Sequence, residues 1–112
     1  MHVKDRPLST ASLHILLALA ESDLHGYAIM QSVKRQSAGK YKIGPGTLYA
    51  NLDRLLAAGF VGETERNQKN GEMRREYFLK GRGEKALRAE IRRLQQVVAT
   101  ADRLGHLGES DA

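Results

Sequence analysis

The stretch from Gly44 to Phe60 constrains the fold of this chain more than any other part of its sequence. Pro45 suits the first position of a helix, where its missing N–H costs nothing. Leu48, Leu52, Leu55 and Leu56 then recur at i, i+4, i+7 and i+8, which makes one buried stripe. Ala58-Gly59-Phe60 reads as a glycine C-cap followed by an apolar residue. A helix so delimited lays one face on a core and leaves the other free.

Two further helices precede it. Ser9 or Thr10 can cap a first helix running to about Glu21, and Leu13, Ile15, Leu16, Leu17 and Leu19 make it apolar on more than one face. Such a helix is expected to be buried between two bodies, its own domain and a partner subunit. Ser22-Asp23-Leu24-His25-Gly26 is a break, and a second helix is expected from about His25 to Ser37, with Tyr27, Met30 and Val33 at helical spacing. Gly39 closes it, and residues 40–44 form the connecting turn. Downstream, Phe60–Arg66 and Arg75–Leu79 suit two strands, and Asn70-Gly71 between them is a strong turn dipeptide.

From Gly83 a last helix is expected to run to about Leu104, ended by Gly105 and Gly108. Leu87, Ile91, Leu94, Val98 and Ala101 are spaced four, three, four and three apart, an a/d seam suited to pairing with another helix. The expected fold class is therefore mainly α with a small β-hairpin: a winged helix-turn-helix plus a C-terminal dimerisation helix. Residues 1–8 read as an N-terminal arm, 9–80 as the winged helix, 81–105 as the dimerisation helix and 106–112 as a loose tail.

Charge narrows the function. The chain of 112 residues carries a formal net charge of +5. Between Lys34 and Arg75 there are nine Lys/Arg against four acids, so the whole excess lies in this central segment. One face that meets a polyanion would look like this. With Leu48, Leu52 and Leu55 inward, Thr47, Ala50, Asn51, Arg54 and Ala58 are expected to point outward on the third helix. Asn51 and Arg54 can donate to base edges or phosphates, and Thr47 sits in the first turn, where backbone N–H groups face outward. Arg66, Lys69, Arg74 and Arg75 on the hairpin, with Lys40 and Lys42 before the third helix, are candidate phosphate contacts.

His25-Gly26-Tyr27, Gly44-Pro45-Gly46-Thr47-Leu48-Tyr49, Leu52-x-Arg54-Leu55-x-x-x-Gly59 and Arg74-Arg75-x-Tyr77 together resemble the PadR family of bacterial transcriptional regulators. The resemblance covers roughly residues 10–100. It implies a winged helix, a homodimer built on the C-terminal helix, and binding to palindromic operator duplex DNA, usually as a repressor. On that pattern Thr47, Tyr49, Asn51, Arg54 and the basic residues of the wing form the DNA-binding surface, and His25 and Tyr27 support the turn or touch phosphate. Two positions depart from the pattern: Ala50 stands where many relatives have proline, and Leu79-Lys80-Gly81-Arg82-Gly83 replaces the usual cap of the last helix. Some relatives hold flat ligands between subunits with aromatic side chains. This chain has no Trp and its last helix has no aromatic residue.

Enzymatic chemistry is not expected. His2, His14, His25 and His106 are scattered without metal-ligand spacing, there is no cysteine, and Gly44-x-Gly46 lacks the strand and lysine of a phosphate loop. No apolar run approaches the roughly 20 residues of a membrane span, and no signal peptide is expected. A cytoplasmic regulator without cofactor or metal follows, with duplex DNA and a second copy of itself as partners. An unidentified small-molecule effector remains a candidate. Two other readings stay open, a winged-helix module that meets an acidic protein and a non-specific nucleic-acid binder.

Overall fold

The computed structural model describes residues 7–107. Residues 1–6 of the expected arm, with His2, and residues 108–112 of the expected tail, with Gly108, lie outside the described residues. The order of elements is α1 (Thr10–Glu21), β1 (Leu24–His25), α2 (Gly26–Gln36), α3 (Pro45–Ala57), β2 (Val61–Asn67), β3 (Met73–Leu79) and α4 (Gly81–Arg103). The strands form one antiparallel sheet in the order β1-β3-β2.

Local chemistry sets these boundaries. Ser9 caps α1, its Oγ accepting the Ser12 N–H at 3.0 Å. Helix α2 ends in two consecutive left-handed residues, Ala38 (φ 53) and Gly39 (φ 81). The turn beyond is pinned by Ser37, whose Oγ accepts the Tyr41 N–H at 2.8 Å. Helix α3 starts on Pro45 and closes with Gly59 at φ 76. There the Phe60 N–H reaches the Leu55 carbonyl at 2.9 Å and the Gly59 N–H reaches that of Leu56 at 3.0 Å. These paired bonds are a Schellman motif, with Phe60 and Leu55 both in the core.

The hairpin turns on residues 68–72. Gly71 is left-handed (φ 86), its N–H bonds to the Gln68 carbonyl at 3.0 Å, and the Gln68 N–H bonds to the Glu72 carbonyl at 2.7 Å. The Asn-Gly pair thus lies in a three-residue loop that ends on a left-handed glycine. Asn70 Oδ1 braces the loop by accepting the Glu72 N–H at 3.0 Å.

Three expectations need correction. Strand β1 is two residues long, too short for any alternation to mark it, and it exists because Leu24 and His25 pair with Tyr77 and Glu76. Strand β3 starts at Met73 rather than Arg75, since Arg66 and Asn67 of β2 supply partners for Arg74 and Met73. Helix α4 starts at Gly81, two residues before Gly83, with no side-chain cap bond at Lys80.

Ile15, Leu16 and Leu19 of α1, Ile29 and Val33 of α2, and Leu48, Leu52 and Leu55 of α3 form one core with Phe60, Val61, Tyr77 and Leu87. Helix α1 lies at its centre, in contact with α2, α3, α4 and β3. Of its apolar residues, Ala11, Ile15, Leu16, Ala18 and Leu19 are buried within the chain, and Leu13 and Leu17 are half-buried against the same core.

Candidate nucleic-acid interface

Helix α3 presents Gly46, Thr47, Tyr49, Ala50, Asp53 and Arg54 to solvent. At 100° per residue, Gly46, Ala50 and Asp53 occupy the crest, Tyr49 one flank, and Thr47 with Arg54 the other. Small residues on the crest permit close approach to a partner. The N-terminus is open as well: Gly44, Pro45 and Gly46 are exposed and no side chain caps the first turn, so its N–H groups are free for an anion.

Asn51 does not belong to this surface. It is 4% exposed and turned toward α1, where its Oδ1 accepts from Ser12 Oγ at 3.0 Å and Ser9 Oγ at 3.2 Å. The expectation of an outward Asn51 fails because its position lies next to the leucine stripe, and α1 covers that side. Ala58, expected outward too, is half-buried against the core.

Tyr49 reaches from α3 across the start of α2. Its hydroxyl lies over Gly26, where an added Cβ would come to 2.4 Å. On its other side a shallow cleft of about 250 Å³ opens between Tyr49 and Glu65, Met73, Arg75 and Tyr77 of the ribbon. Burial, reinforced by the nearby Tyr49 and Glu63, pushes the Tyr77 hydroxyl above its ordinary value.

The ribbon divides its charges by face, because side chains alternate along a strand. One face carries Glu63, Glu65 and Arg75, and Arg75 sits 3.6 Å from Glu63 and 3.8 Å from Glu65. The other carries Arg66 directly opposite Arg74, with Glu76 holding Arg66 at 2.9 Å. His25 pairs with Glu76 in the register; burial lowers its pKa, Arg74 lowers it further, and Glu76 opposes. Lys69 stands exposed at the tip. The hairpin's excess charge thus rests on Lys69 and Arg74 more than on Arg75.

A second basic surface flanks the start of α3. Tyr27, Lys34 and Arg35 of α2 face Lys42 and Ile43 of the turn across a groove of about 620 Å³. No acid occurs between Asp23 and Asp53, and Lys34, Arg35, Lys40 and Lys42 are all exposed and take part in no ion pair among the described residues. Tyr27 is 62% exposed although its helical spacing with Met30 and Val33 suggests an inward face, and Met73 on the ribbon is 55% exposed.

Helix α4 divides along its length. Leu87 is 5% exposed and belongs to the core rather than to the expected seam, and Ile91 packs against that core while remaining half-buried. Gly83 lies against the Phe60 carbonyl, where a Cβ would come to 2.1 Å. Further along, Leu94 and Ala101 are half-buried and Val98 is 58% exposed. Val97 and Leu104, each 53% exposed, extend this stripe. Their spacing of three from Leu94 and Ala101 is the signal that could have found them.

The family model of the transcriptional regulator PadR-like family matches residues 15–89. The chain belongs to this family. Its members are transcriptional regulators and not enzymes. This PadR-like chain is 35% identical over 85 residues to the transcriptional regulator Rv3488 of Mycobacterium tuberculosis, which covers 76% of each chain. A PadR family transcription regulator from Clostridium difficile superposes with a TM-score of 0.74 at 20% identity, covering 86% of this chain and 98% of that one. Bacillus subtilis PadR, solved in complex with operator DNA, matches with a TM-score of 0.67 at 22% identity over 76% of this chain and 48% of that one. The fold is thus the winged helix of PadR regulators. No helix of the described residues is long and apolar enough to cross a membrane, and they contain no cluster of potential metal ligands.

Proposed function

We propose that this PadR-family regulator binds duplex DNA sequence-specifically as a homodimer and represses transcription from a palindromic operator in the cytoplasm. One observation carries the reading: unpaired cations on the turn before α3 and at the wing flank a helix whose crest is small and whose N-terminus is open. In this reading α3 enters the major groove, with Thr47, Tyr49 and Arg54 at its edges. Lys40 and Lys42 anchor phosphates on one side, and Lys69, Arg74 and, more weakly, Arg75 do so on the other. The operator-bound state of Bacillus subtilis PadR supports it, because that protein shares the fold.

A second copy would cover the exposed stripe of α4 formed by Leu94, Val97, Val98, Ala101 and Leu104, since so much contiguous apolar surface is unfavourable in water. Two-fold symmetry then sets the two recognition helices about one helical turn apart, roughly 34 Å. Selection of binding sites from random duplex DNA tests the whole reading. The expected product is an inverted repeat with half-sites at that spacing. A pool that stays random in sequence would leave a non-specific binder instead, and the proposal would fall.

A further inference from the structure

Asn51 is the buried polar residue that joins the recognition helix to α1. Its Oδ1 accepts from Ser12 Oγ at 3.0 Å, Arg54 Nη2 at 3.1 Å and Ser9 Oγ at 3.2 Å, and its Nδ2 donates to the Thr47 carbonyl at 2.7 Å. With three donors on one oxygen and 4% exposure, the amide is satisfied inside the fold and is not presented to a base. Arg54 lies differently. It is exposed on the flank of α3, and Asn51 is the side chain that holds its guanidinium.

The donors that orient Asn51 are themselves fixed. Ser9 is the cap of α1, so its hydroxyl is already committed to the Ser12 N–H and donates its own proton to Asn51. The carboxylate of Glu90 on α4 is buried as well, and Arg93 grips it with two hydrogen bonds of 3.0 and 2.6 Å. The entry to α1 is therefore tied through Asn51 to α3, while the body of α1 also packs against α4.

We propose that Asn51 is a positioning residue for DNA recognition: held by Ser9 and Ser12, it fixes the Arg54 guanidinium in the orientation in which it meets DNA. The inference rests on the DNA-binding reading above. A free arginine explores many rotamers and loses that freedom on binding; one already held by an amide loses less. The contribution of Asn51 to discrimination therefore passes through Arg54, and vanishes when Arg54 is absent.

A double-mutant cycle tests this on the full chain with two probes, the duplex selected by the wild-type protein and a scrambled duplex. Asn51→Ala is expected to lower the ratio of selected to scrambled affinity by roughly three- to tenfold. In an Arg54→Ala background the same substitution should leave the ratio unchanged. Equal loss in both backgrounds, or no loss in either, overturns the proposal. Ser12→Ala, which keeps Asn51 but removes one of its orienting donors, should act in the same direction and carries the test if Asn51→Ala does not fold.

Relaxation of the Arg54 Nε–H in the DNA-free protein gives a readout that mere folding does not move. The group should be ordered in the wild type and mobile in the Asn51 or Ser12 variant. Equal mobility in both refutes the positioning role even where DNA binding is intact. A wild-type chain that binds both duplexes alike, by contrast, overturns the DNA-reading function itself and this role with it.

Discussion

Gly26→Ala is the substitution that most directly probes how the start of α2 and the recognition helix fit together. Gly26 is buried at the first position of α2, and its φ is not in the left-handed region, so the backbone itself accepts a side chain. The obstacle is steric. The new Cβ would lie 2.4 Å from Tyr49 Oη, 3.1 Å from Tyr49 Cζ and 3.4 Å from Leu48 Cδ2. Relief of the closest contact requires the hydroxyl to retreat by roughly 1 Å, given ordinary non-bonded separations. Tyr49 is 45% exposed, so its outer end can swing while Leu48 beneath stays in place.

Overpacking of this kind costs about 1–3 kcal/mol, and replacing a helical glycine by alanine returns about 0.5–1 kcal/mol. A net loss of about 1 kcal/mol is expected, read as a fall in Tm of about 4–8 °C for a domain of this size. Affinity for the selected duplex, followed by fluorescence anisotropy, should fall further than stability does, because the displaced ring is on the proposed reading surface. Tyr49→Phe removes the atom at 2.4 Å and leaves the nearest contact at 3.1 Å. The double variant should therefore recover most of the lost Tm. A double variant as unstable as Gly26→Ala alone would refute the reasoning, since the hydroxyl would then not be what the methyl meets.

The remaining predictions separate the functions of the other elements. Val97→Glu with Val98→Glu should leave the fold within about 0.5 kcal/mol of wild type, as both sites are exposed, yet yield monomers by light scattering; a stable dimer would move the interface elsewhere. Leu87→Ala, in the same helix, should cost about 2–5 kcal/mol in a denaturant titration, because it opens a cavity in the core. Neutralising Lys69 or Arg74 should flatten the dependence of log K on log salt by about 0.9 each, and Arg75→Ala by less, since Glu63 and Glu65 already screen that charge. Hydrogen bonds from Arg93 hold the Glu90 carboxyl below its ordinary 4.5 against the opposing effect of burial. A depressed folded-state value gives stability that is present above 4.5 and lost as pH falls through the folded value. Glu90→Gln should therefore be less stable than wild type at pH 7, by about 1–2 kcal/mol with Arg93 half exposed. The two should converge in thermal melts once the pH falls below the folded value.

The parts of this molecule that could be read from the chain are those whose cause is local. Pro45, the leucine stripe and Gly59-Phe60 specify α3 from both ends, and the bonds from Gly59 and Phe60 to the last turn follow from them. The glycine in the hairpin acts in the same way, through its own backbone. Strand β1 was hidden because two residues carry no period and exist as a strand only by pairing with Tyr77 and Glu76. Asn51 was misplaced for a related reason. A helical wheel knows the direction of one core, and Asn51 stands at the edge of that direction, where only the passage of Ser9 and Ser12 decides whether it is wet or dry.

Helix α4 shows why a regular seam can still be divided between two tasks. Its a/d pattern from Leu87 to Ala101 is continuous, so the sequence offers no mark at which core ends and interface begins. The mark is geometric: Gly83 brings the first turn against the Phe60 carbonyl, and burial falls away along the helix beyond Ile91. Leu87 and Ile91 meet the core, and Leu94 to Leu104 come after. A continuous helix of 23 residues, which rises about 1.5 Å per residue, thus joins the packing of the winged helix to the surface proposed for the second copy. Were two copies to pair there, rotation of one α4 about the other would act on the core through Gly83 and Leu87.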